Sequence, residues 1–574
     1  MSMYEYLVTT NYYHFEDTAL EYYGKKITYG KLIEEINKAA ASYKALGVKE
    51  GDVVSIASPC LPEIVYSLYA LNKIGAVVNM VDPRVPGEKL KNYINGCNSK
   101  YLVMINKCYP KIENIIKDTS IEKVVSISPA ESLPFGLKVA KKVAEEIESA
   151  QKYEVPIRKN PNYINWKEFI KQGNDLGWVE SAPYKKGNPA IIMYTSGTSG
   201  EPKGAISSND SFNNMAFFQK ESIVNVERKD KFLLIMPPFI AYGMAIGLHG
   251  QLCTGQTVVM IPTFTIDNSK ELLGKLVKKH KPQTIMGVPN FMSDLIKHPS
   301  MQNLDCSFLK NVIVGGDSMN TAAEELVNSF LAAKRSEAAI TKGWGLTEVN
   351  SCFSYTKTKE TNPIGSVGIP LMGNNIKIVK PLEEDARDID IDSLEELNYD
   401  EEGEIFITSP TGIVNYLNNP EEAEKVFFTS KSDGKVWVRT KDLGRITKDG
   451  FIYISGRMKR IIIRPDGHNV SPFAIERIVN NHEKVDNCAV VGRPSGDHDH
   501  GSYPVAYIQV KEQYKGQEES ILAEVKKEIE EKIPPRDIAN YYEFDEIPLT
   551  NIGKVDYKSL EEKEKQKCKT LKRM

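Results

Sequence analysis

The segment Tyr194-Thr-Ser-Gly-Thr-Ser-Gly-Glu-Pro-Lys-Gly204 directly follows the apolar run PAIIM at residues 189–193. Its glycines, hydroxyl side chains and single lysine supply backbone N–H groups, hydroxyl donors and one cation, a combination that suits a polyphosphate. It is not a Walker A loop, because Pro202 stands where that motif has the glycine before its lysine. Considered alone, the segment is also compatible with a Gly/Ser-rich surface turn. The apolar run before it indicates a buried strand, and similar runs recur along the chain.

Short β-branched runs alternate with amphipathic helical patterns over most of the sequence. The amphipathic stretches include one that ends at Gly47, as a helix with a glycine cap would. This alternation predicts an α/β fold with parallel sheets covered by helices. The runs predict buried strands at Asp52–Ala57, Ala76–Val81, Tyr101–Ile105, Ala190–Tyr194, Phe232–Met236, Thr257–Ile261, Thr284–Val288 and Asn311–Val314.

The composition is that of a globular protein. The 574 residues are 41% hydrophobic and 26% charged, which excludes a wholly disordered or collagen-like chain. A formal net charge of −3 leaves no basic excess to attract nucleic acid, so nucleic acid is not an expected partner. The eight cysteines contain no C-x-x-C pair, which favours a reducing, cytoplasmic location over a disulfide framework or zinc site. Neither terminus carries a recognisable secretory, peroxisomal or prenylation signal.

Four unusual stretches have ordinary explanations. Phe232–Leu248 is apolar but too short for a membrane span and is interrupted by prolines and glycines, so we predict a buried strand, a turn and a core helix. The amphipathic pattern at residues 137–150 leaves peripheral membrane contact open, although a helix lying on its own domain explains it better. The acidic run at 383–404 predicts a solvated loop or hairpin. His498 and His500 do not predict a metal site, because neighbours in one loop rarely converge.

Three further motifs suit a nucleotide. Gly343-Trp-Gly-Leu-Thr-Glu348 offers an indole face to a base, a threonine hydroxyl to phosphate and a carboxylate to Mg²⁺. Arg439-Thr-Lys-Asp442 offers one carboxylate to both hydroxyls of a ribose, and Asn551-Ile-Gly-Lys554 offers a cation near the C-terminus. An isolated exposed Asp or Lys is usually a solvated charge, so these motifs carry weight only in combination.

In this order, the motifs resemble those of the acyl-adenylate-forming superfamily, which includes acyl-CoA synthetases, luciferases and peptide-synthetase adenylation domains. YTSGTSGEPKG is close to the family's phosphate loop, and GWGLTE is similar to its aromatic-Gly-x-Thr-Glu motif. RTKDLG resembles RTGDL, with Lys441 in place of glycine. GRMKRIIIRPDGHNVSPFAIE at 456–476 resembles the hinge segment, PLTNIGKVDY at 548–557 the C-terminal lysine motif, and LNKIGAVVNMVDPRVP at 71–86 the N-terminal signature.

The resemblance implies a two-part architecture. It implies a large N-terminal region at residues 1–456, made of several subdomains, that holds ATP and the acyl group. A small, mobile α+β domain at residues 457–574 would carry the hinge at Lys459 and the catalytic Lys554. The domain's swing about the hinge would remove Lys554 and bring Gly467 to the CoA tunnel, where the lack of a side chain lets the pantetheine arm pass.

The resemblance also implies the remaining site residues. With Lys554, the catalytic residues would be Thr347 and Glu348, and Glu348 would hold Mg²⁺. The acyl pocket would be lined by Phe239, Ile240, Tyr242 and Val288. The residues implied to bind ATP or AMP are Thr195, Ser196, Gly197, Thr198, Ser199, Gly200, Lys203, Gly316, Asp317, Gly343, Trp344, Gly345, Asp442 and Arg457.

Three departures from the family pattern bear on the substrate and the hinge. Pro237-Pro-Phe-Ile240 lacks the histidine of many acyl- and aryl-CoA synthetases. Amino-acid-activating domains place an aspartate there; Ile240 cannot pair an ammonium group, which disfavours an α-amino acid. Arg460 stands where a carboxylate often follows the hinge, and the segment IIIRPDGHN is one residue longer than usual.

The leading hypothesis is an ATP-dependent, AMP-forming acid–thiol ligase that activates an apolar carboxylic acid and transfers it to CoA. A fatty acid is the first choice and an aryl acid the second. A ligase that loads the phosphopantetheine of an acyl carrier protein is the alternative, and the acidic run at 383–404 would then restrict the domain swing or dock the partner. A catalytically idle nucleotide-binding protein is a third reading, which the intact Lys554, Glu348 and Asp442 disfavour.

Overall fold

The computed structural model describes most of the chain. The predicted helix at residues 137–150 and the histidines His498 and His500 lie outside the described residues. The described residues are 1–134, 136, 161–195, 202–222, 226–261, 266–356, 362–495, 501–550 and 553–571.

One mostly parallel sheet contains the strand that leads into the phosphate loop. Gly204–Ser208 turns back antiparallel to Pro189–Tyr194, so the two strands bracket the loop. Val77–Val81 and Tyr101–Ile105 are buried along their whole length, which is why they read as continuous hydrophobic runs. In spatial order, the described strands are Asn415–Tyr416, Gly204–Ser208, Pro189–Tyr194, Val77–Val81, Val53–Ala57, Tyr101–Ile105, Lys123–Ile127 and Tyr163–Asn165.

A second mostly parallel sheet brings together runs from distant parts of the sequence. Its edges are antiparallel, and its centre pairs strands separated by helices. Four of its nine described strands, from Lys231–Leu234 to Asn311–Gly315 in the sequence, lie within about two residues of the predicted runs, which confirms the α/β class. The other five strands were not predicted. In spatial order, the described strands are Ile369–Pro370, Ser354–Tyr355, Ile340–Trp344, Asn311–Gly315, Thr284–Gly287, Lys231–Leu234, Thr257–Met260, Thr18–Tyr22 and Lys25–Thr28.

The largest hydrophobic core joins these two sheets. It includes Ile56 and Met80 of the first sheet and Val258 and Met286 of the second. The helix Pro62–Lys73 is buried at every residue, including its polar residues Glu63, Ser67, Asn72 and Lys73. The two sheets are therefore packed into one large region.

The apolar stretch Phe232–Leu248, which is too short for a membrane span, is part of this core. It forms the strand Lys231–Leu234 and, after a turn, the helix Tyr242–Gly250, as predicted. No helix in the described part of the chain is both long and apolar enough to cross a bilayer.

A third, antiparallel sheet follows. Its described strands are Asn375–Val379, Gly403–Thr408, Val436–Ile446, Phe427–Thr429 and Ile452–Arg457. The acidic run between the first two is a loop, as predicted, but it is anchored. Ile391 is 1% exposed and packs with Phe406, while the fully buried Arg439 forms an ion pair with Glu404 and donates to the carbonyl oxygens of Leu382, Glu383 and Glu384.

The C-terminal part is α+β. The short hairpin strands Ile462–Ile463 and Asn469–Val470 precede a sheet of Val485–Pro494, Ser502–Val510 and Tyr541–Phe544. The helices Pro472–Asn480 and Glu518–Lys532 bury Ile475, Val525 and Ile529 in its core. The boundary between the large N-terminal region and the C-terminal domain, between residues 456 and 457, remains a proposal.

Helices cover the faces of the sheets throughout. The described α-helices not yet given are Met3–Thr10, Tyr29–Ala45, Gly87–Gly96, Tyr109–Ile115, Trp166–Gln172, Asn209–Ser222, Gln251–Cys253, Ile266–His280, Pro289–Lys297, Pro299–Gln302, Thr321–Ala333, Pro420–Ala423 and Tyr557–Leu571. Short 3₁₀ turns lie at Asn106–Cys108, Ile116–Asp118, Asn174–Leu176, Thr347–Val349, Met458–Arg460, Glu512–Tyr514 and Pro535–Asp537.

Candidate active site

Two neighbouring parallel strands of the second sheet end at predicted nucleotide-binding residues. Asn311–Gly315 and Ile340–Trp344 pair in register, with Gly315 opposite Gly343. Gly316 and Asp317 directly follow the first strand, and the second ends at Trp344. Ligands of open α/β sheets bind at the carboxyl ends of the strands, so this edge is the natural place for the nucleotide.

Close backbone packing at this edge requires glycine. A Cβ on Gly345 would lie 2.0 Å from the carbonyl oxygen of Ser351, and no L side chain fits such a gap. Gly316 has φ +82°, which side chains rarely adopt. The turns at Gly316 and Gly345 therefore keep the main chain close to the carboxyl ends of these two strands.

A hydrogen-bonded trio connects this edge to the third sheet. Trp344 Nε1 donates to Asp442 Oδ2 at 3.1 Å, and Arg457 Nε donates to Asp442 Oδ1 at 2.6 Å. Asp442 is 2% exposed, and its charge raises the pKa of Arg457. Each carboxylate oxygen can accept a second hydrogen bond, so Asp442 retains acceptors for ribose hydroxyls. The structure thus brings these three predicted residues together.

The two described ends of the phosphate loop are paired with each other. The Thr195 N–H donates to the Lys203 carbonyl oxygen at 2.9 Å, and the Lys203 N–H donates to Thr195 Oγ1 at 3.2 Å. The predicted residues between them, Ser196, Gly197, Thr198, Ser199 and Gly200, lie outside the described residues.

A chain of polar contacts leads from Lys203 to the predicted magnesium ligand. The Lys203 ammonium group pairs with Glu422 and lies 5.2 Å from the centroid of the Tyr416 ring. The Tyr416 hydroxyl donates to Glu348 Oε1. Burial and the adjacent Glu348 carboxylate raise the pKa of Tyr416, so the hydroxyl keeps its proton and holds Glu348 in place.

The donor set around Glu348 suits Mg²⁺. Thr347 directly precedes Glu348 in a 3₁₀ turn and adds a hydroxyl oxygen. In the part of the chain that the structure describes, no three His, Cys, Asp or Glu side chains converge as a metal cage. Mg²⁺ is commonly bound by one or two carboxylates together with substrate phosphates, so the single carboxylate of Glu348 would be adequate with a bound nucleotide.

Lys554 reaches the large region. A Cβ on Gly316 would lie 3.8 Å from Lys554 Cε, 3.8 Å from Tyr242 Cδ1 and 3.7 Å from Val288 Cγ1. The residue before it, Gly553, accepts a 3.0 Å hydrogen bond at its carbonyl oxygen from Asn290 Nδ2. The lysine thus lies beside both the nucleotide edge and two of the predicted acyl-pocket residues.

The electrostatic setting of Lys554 is mixed. Burial lowers the pKa of its ammonium group, Asp317 opposes that shift, and Arg457 reinforces it. A partly desolvated cation interacts more strongly with an anionic substrate than a fully hydrated one does. This position favours contact with phosphate or carboxylate.

The other two predicted pocket residues precede the helix Tyr242–Gly250. Phe239 is 7% exposed and lies 5.3 Å, from ring centroid to guanidinium carbon, from Arg84. Ile240 is partly buried against the main core. Of the four predicted pocket residues, Tyr242 and Val288 lie beside Gly316 together with Lys554.

The predicted hinge and tunnel residues lie away from this cluster. Lys459 Nζ is 3.8 Å from Oε1 of Glu384, which belongs to the acidic loop. Gly467 is exposed at a hairpin turn with φ +82°. The hairpin is tied within the C-terminal part by a 2.6 Å contact of His468 with Asp537. Gly467 therefore does not join Lys554 in this arrangement.

Arg460 has partners of its own. It donates to Glu476 at 2.5 Å and lies 3.6 Å over the ring of Tyr557. The usual carboxylate is thus replaced by a cation that is held inside the C-terminal part.

Comparisons with known proteins identify the family. The sequence model of the family described as AMP-binding enzyme matches residues 9–417. The family model of the AMP-binding enzyme C-terminal domain matches residues 474–554. The chain belongs to the acyl-adenylate-forming superfamily of AMP-binding enzymes. The resemblance in the motifs is confirmed.

Two curated relatives of this AMP-binding enzyme have different acid substrates in their names. A long-chain-fatty-acid–CoA ligase of Bacillus subtilis (strain 168) is 26% identical over 555 residues, covering 96% of this chain and 92% of the relative. A probable 4-coumarate–CoA ligase of Dictyostelium discoideum is 27% identical over 541 residues, covering 92% and 89%.

Solved structures share the fold. The crystal structure of the anthranilate CoA ligase AuaEII in complex with anthranoyl-AMP is 20% identical, with a TM-score of 0.80. It covers 98% of this chain and 96% of its own chain. The mixed α/β region with a smaller C-terminal domain is therefore that of the superfamily.

Sequence reasoning missed the contacts of two residues at this candidate site. Tyr416 contacts Glu348 across 68 residues, and Asn290 contacts Gly553 across 263. Tyr416 belongs to a strand that carries no chemical motif. Asn290 lies two residues after Val288, a predicted pocket residue, but no role was predicted for its side chain.

Proposed function

We propose that this AMP-binding enzyme is an ATP-dependent, AMP-forming ligase that joins an apolar carboxylic acid to the thiol of CoA. The observation that carries the proposal is the position of Lys554 beside Gly316, Tyr242 and Val288. A cation there is next to the nucleotide edge and an apolar surface at once. An acid with a hydrophobic body suits that surface.

In the first half-reaction, a carboxylate oxygen of the acid attacks the α-phosphorus of ATP, and pyrophosphate leaves. Two anions must approach each other, so the contribution of Lys554 is to neutralise and align them. Asp442 accepts the ribose hydroxyls, and Trp344 presents its face to the base. Glu348 and Thr347 would hold Mg²⁺, which neutralises phosphate charge when bound.

In the second half-reaction, the thiol sulfur attacks the acyl carbonyl carbon, loses its proton, and AMP leaves. We propose that the domain of residues 457–574 swings about Lys459, so that Lys554 withdraws and Gly467 takes its place. At the open hairpin turn, a Cβ on Gly467 would have no atom within 4 Å apart from its chain neighbours, which leaves room for a slender pantetheine arm.

A fatty acid is the first choice of substrate. Ile240 supplies no charge to pair a substrate ammonium, and the name of the B. subtilis relative refers to a long-chain fatty acid. An aryl acid is the second candidate, because the D. discoideum relative and the anthranilate ligase have aryl acids in their names.

A screen of carboxylic acids tests both the substrate and the thiol acceptor. The purified chain is incubated with ATP, Mg²⁺, CoA and fatty, aryl and amino acids, and AMP and thioester are measured together. We expect both products with an apolar acid only. ATP–pyrophosphate exchange without CoA consumption would remove CoA as the acceptor, and activity with a holo carrier protein alone would support the carrier-loading alternative.

A further inference from the structure

The helix Pro289–Lys297 of the large region touches the C-terminal part at both of its ends. Near its start, Asn290 Nδ2 donates to the Gly553 carbonyl oxygen at 3.0 Å. At its end, Lys297 Nζ lies 3.1 Å from Asp486 Oδ1. The first contact holds the Lys554 loop itself, whereas the second is a partly exposed ion pair of small energetic value.

A third contact joins the C-terminal part to the helix Thr321–Ala333. Asn481 Oδ1 accepts a hydrogen bond from Thr321 Oγ1 at 2.9 Å and another from the Ala322 N–H at 3.3 Å. The first N–H groups of a helix have no partner within it, and side-chain oxygens usually satisfy them. Asn481 therefore acts as a second cap, supplied from 159 residues away in the sequence.

The helix has its own cap as well. Asn320 Oδ1 accepts from the Ala323 N–H at 2.7 Å. In the first turn of the helix, Asn320 therefore caps the Ala323 N–H, and Asn481 caps the Ala322 N–H. Asn481 Oδ1 accepts from the Ala322 N–H, which Asn320 does not reach.

The capped turn lies next to the loop that faces Lys554. Residues 316–320 connect the strand Asn311–Gly315 to this helix, and the loop begins with Gly316 and Asp317. Asp317 acts electrostatically on Lys554. A contact at the helix start thus sets the position of the C-terminal part relative to the same loop.

Asn481 is rigidly joined to the part that carries Lys554. It directly follows the helix Pro472–Asn480, and its N–H is bonded to the Ile478 carbonyl oxygen. That helix buries Ile475 and Val479 completely. Asn480, its neighbour, instead donates within the same part, to the Cys488 carbonyl oxygen at 3.3 Å.

We propose that Asn481 is a positioning residue for adenylate formation. By capping the helix Thr321–Ala333, it favours the orientation of the C-terminal domain in which Lys554 lies at Gly316. This inference rests on the proposed two-step reaction. The contact is made in this arrangement of the domain and is lost when Lys554 withdraws, so it stabilises the first half-reaction selectively.

The test compares Asn481→Ala with Asn481→Asp and with the matched control Asn480→Ala. Each variant is assayed for acyl-adenylate formation from acid and ATP and for thioester formation from supplied acyl-adenylate and CoA. We expect Asn481→Ala to slow the first step about fivefold and not the second, because loss of a cap has roughly that effect on an equilibrium. Asn481→Asp retains an acceptor and rescues the rate.

Equal slowing of both half-reactions by Asn481→Ala, or no slowing of the first, would overturn the proposal. Amide hydrogen exchange supplies a readout that needs no activity. In Asn481→Ala, exchange at Ala322 should accelerate relative to Ala323, which Asn320 still caps. If the wild-type chain forms no adenylate, the proposed function fails, and unchanged exchange at Ala322 would independently refute the docking role of Asn481.

Discussion

The indole N–H of Trp344 donates to Oδ2 of Asp442 at 3.1 Å, which ties the end of a strand in the second sheet to a buried carboxylate in the third. The other oxygen of Asp442 accepts from Arg457. A carboxylate held from both sides has a defined direction for its remaining lone pairs. The aromatic face and the ribose acceptor are therefore positioned as one unit.

Replacing Trp344 by phenylalanine tests this unit. Trp344→Phe keeps an aromatic face but removes the N–H donor, so we expect the KM for ATP to rise about fivefold, as for the loss of one hydrogen bond of about 1 kcal/mol. The measurement is ATP–pyrophosphate exchange as a function of ATP concentration. Trp178→Phe, at a side chain that is 68% exposed, is the control. An unchanged KM in Trp344→Phe would contradict the role of the indole N–H.

Removing the ammonium group of Lys554 should separate the two half-reactions. In Lys554→Ala we expect acyl-adenylate formation to fall by about 10²–10³, the usual effect of losing one stabilising donor in a transition state. Thioester formation from supplied acyl-adenylate should remain. Lys558→Ala, at an exposed lysine of the following helix, is the matched control. Unchanged adenylation in Lys554→Ala would refute the proposed first step.

Adenylation should also respond to alkaline pH. Burial lowers the pKa of Lys554, and the step needs the protonated form. The rate should therefore begin to fall at a pH below the usual range for lysine deprotonation. A pH profile of pyrophosphate release measures this, with thioester formation from supplied acyl-adenylate as the reference. A rate that stays level up to the ordinary lysine range would contradict the lowered pKa.

The buried strands that were predicted are short runs rich in β-branched and other apolar residues, whereas Thr18–Tyr22 and Gly403–Thr408 are buried strands that were not predicted. Asp52–Ala57 and Tyr101–Ile105 became Val53–Ala57 and Tyr101–Ile105 in the structure, since strands buried on both faces have few alternatives. Asp442 and Lys554 could be found from motifs. The pairing of Arg439 with Glu404 could not, because it depends on how the third sheet brings distant residues together.

The acidic run shows the limits of charge patterning. Its density of Asp and Glu predicts a solvated loop, and most of its charged side chains are exposed. Ile391 is nevertheless buried, and the run's backbone carbonyl oxygens accept from Arg439. Ile389 and Leu394 pack against the same apolar cluster as Ile391. Ser430 Oγ and the Lys431 N–H also donate to the Asp392 carboxylate. These anchors depend on residues distant in the sequence, so the acidic composition does not reveal them.

The hydroxyl of Tyr416 should affect the Mg²⁺ concentration that adenylation requires. Tyr416→Phe removes the donor to Glu348 and leaves that carboxylate free to turn away. Hydrogen bonds to charged groups contribute about 1.5–3 kcal/mol, so we expect the Mg²⁺ concentration for half-maximal adenylation to rise about tenfold or more. Tyr399→Phe, at a side chain that is 62% exposed, is the control. An unchanged Mg²⁺ dependence would contradict the proposal that the Tyr416 hydroxyl positions Glu348 for Mg²⁺.

His249 should make the stability of the chain sensitive to acid. Its ring lies in the core, where Tyr69 and Asn213 contact its two nitrogen atoms at 2.9 and 3.1 Å. Asn213 Nδ2 donates to the Met1 carbonyl oxygen, so its Oδ1 accepts from Nε2–H of His249, and Nδ1 accepts from the Tyr69 hydroxyl. This arrangement needs the neutral ring, and burial lowers the pKa of His249 to about 3.

The sign of the pH effect follows from this pKa. Between the usual histidine value of about 6.5 and the folded value, the unfolded state binds the proton more readily. The stability is therefore complete above pH 6.5 and falls by several kcal/mol as the pH approaches 3. His249→Gln removes the titration, so its apparent melting temperature should fall less between pH 6.5 and pH 4.5 than that of the wild type. Parallel melting curves would contradict the assignment of this acid sensitivity to His249.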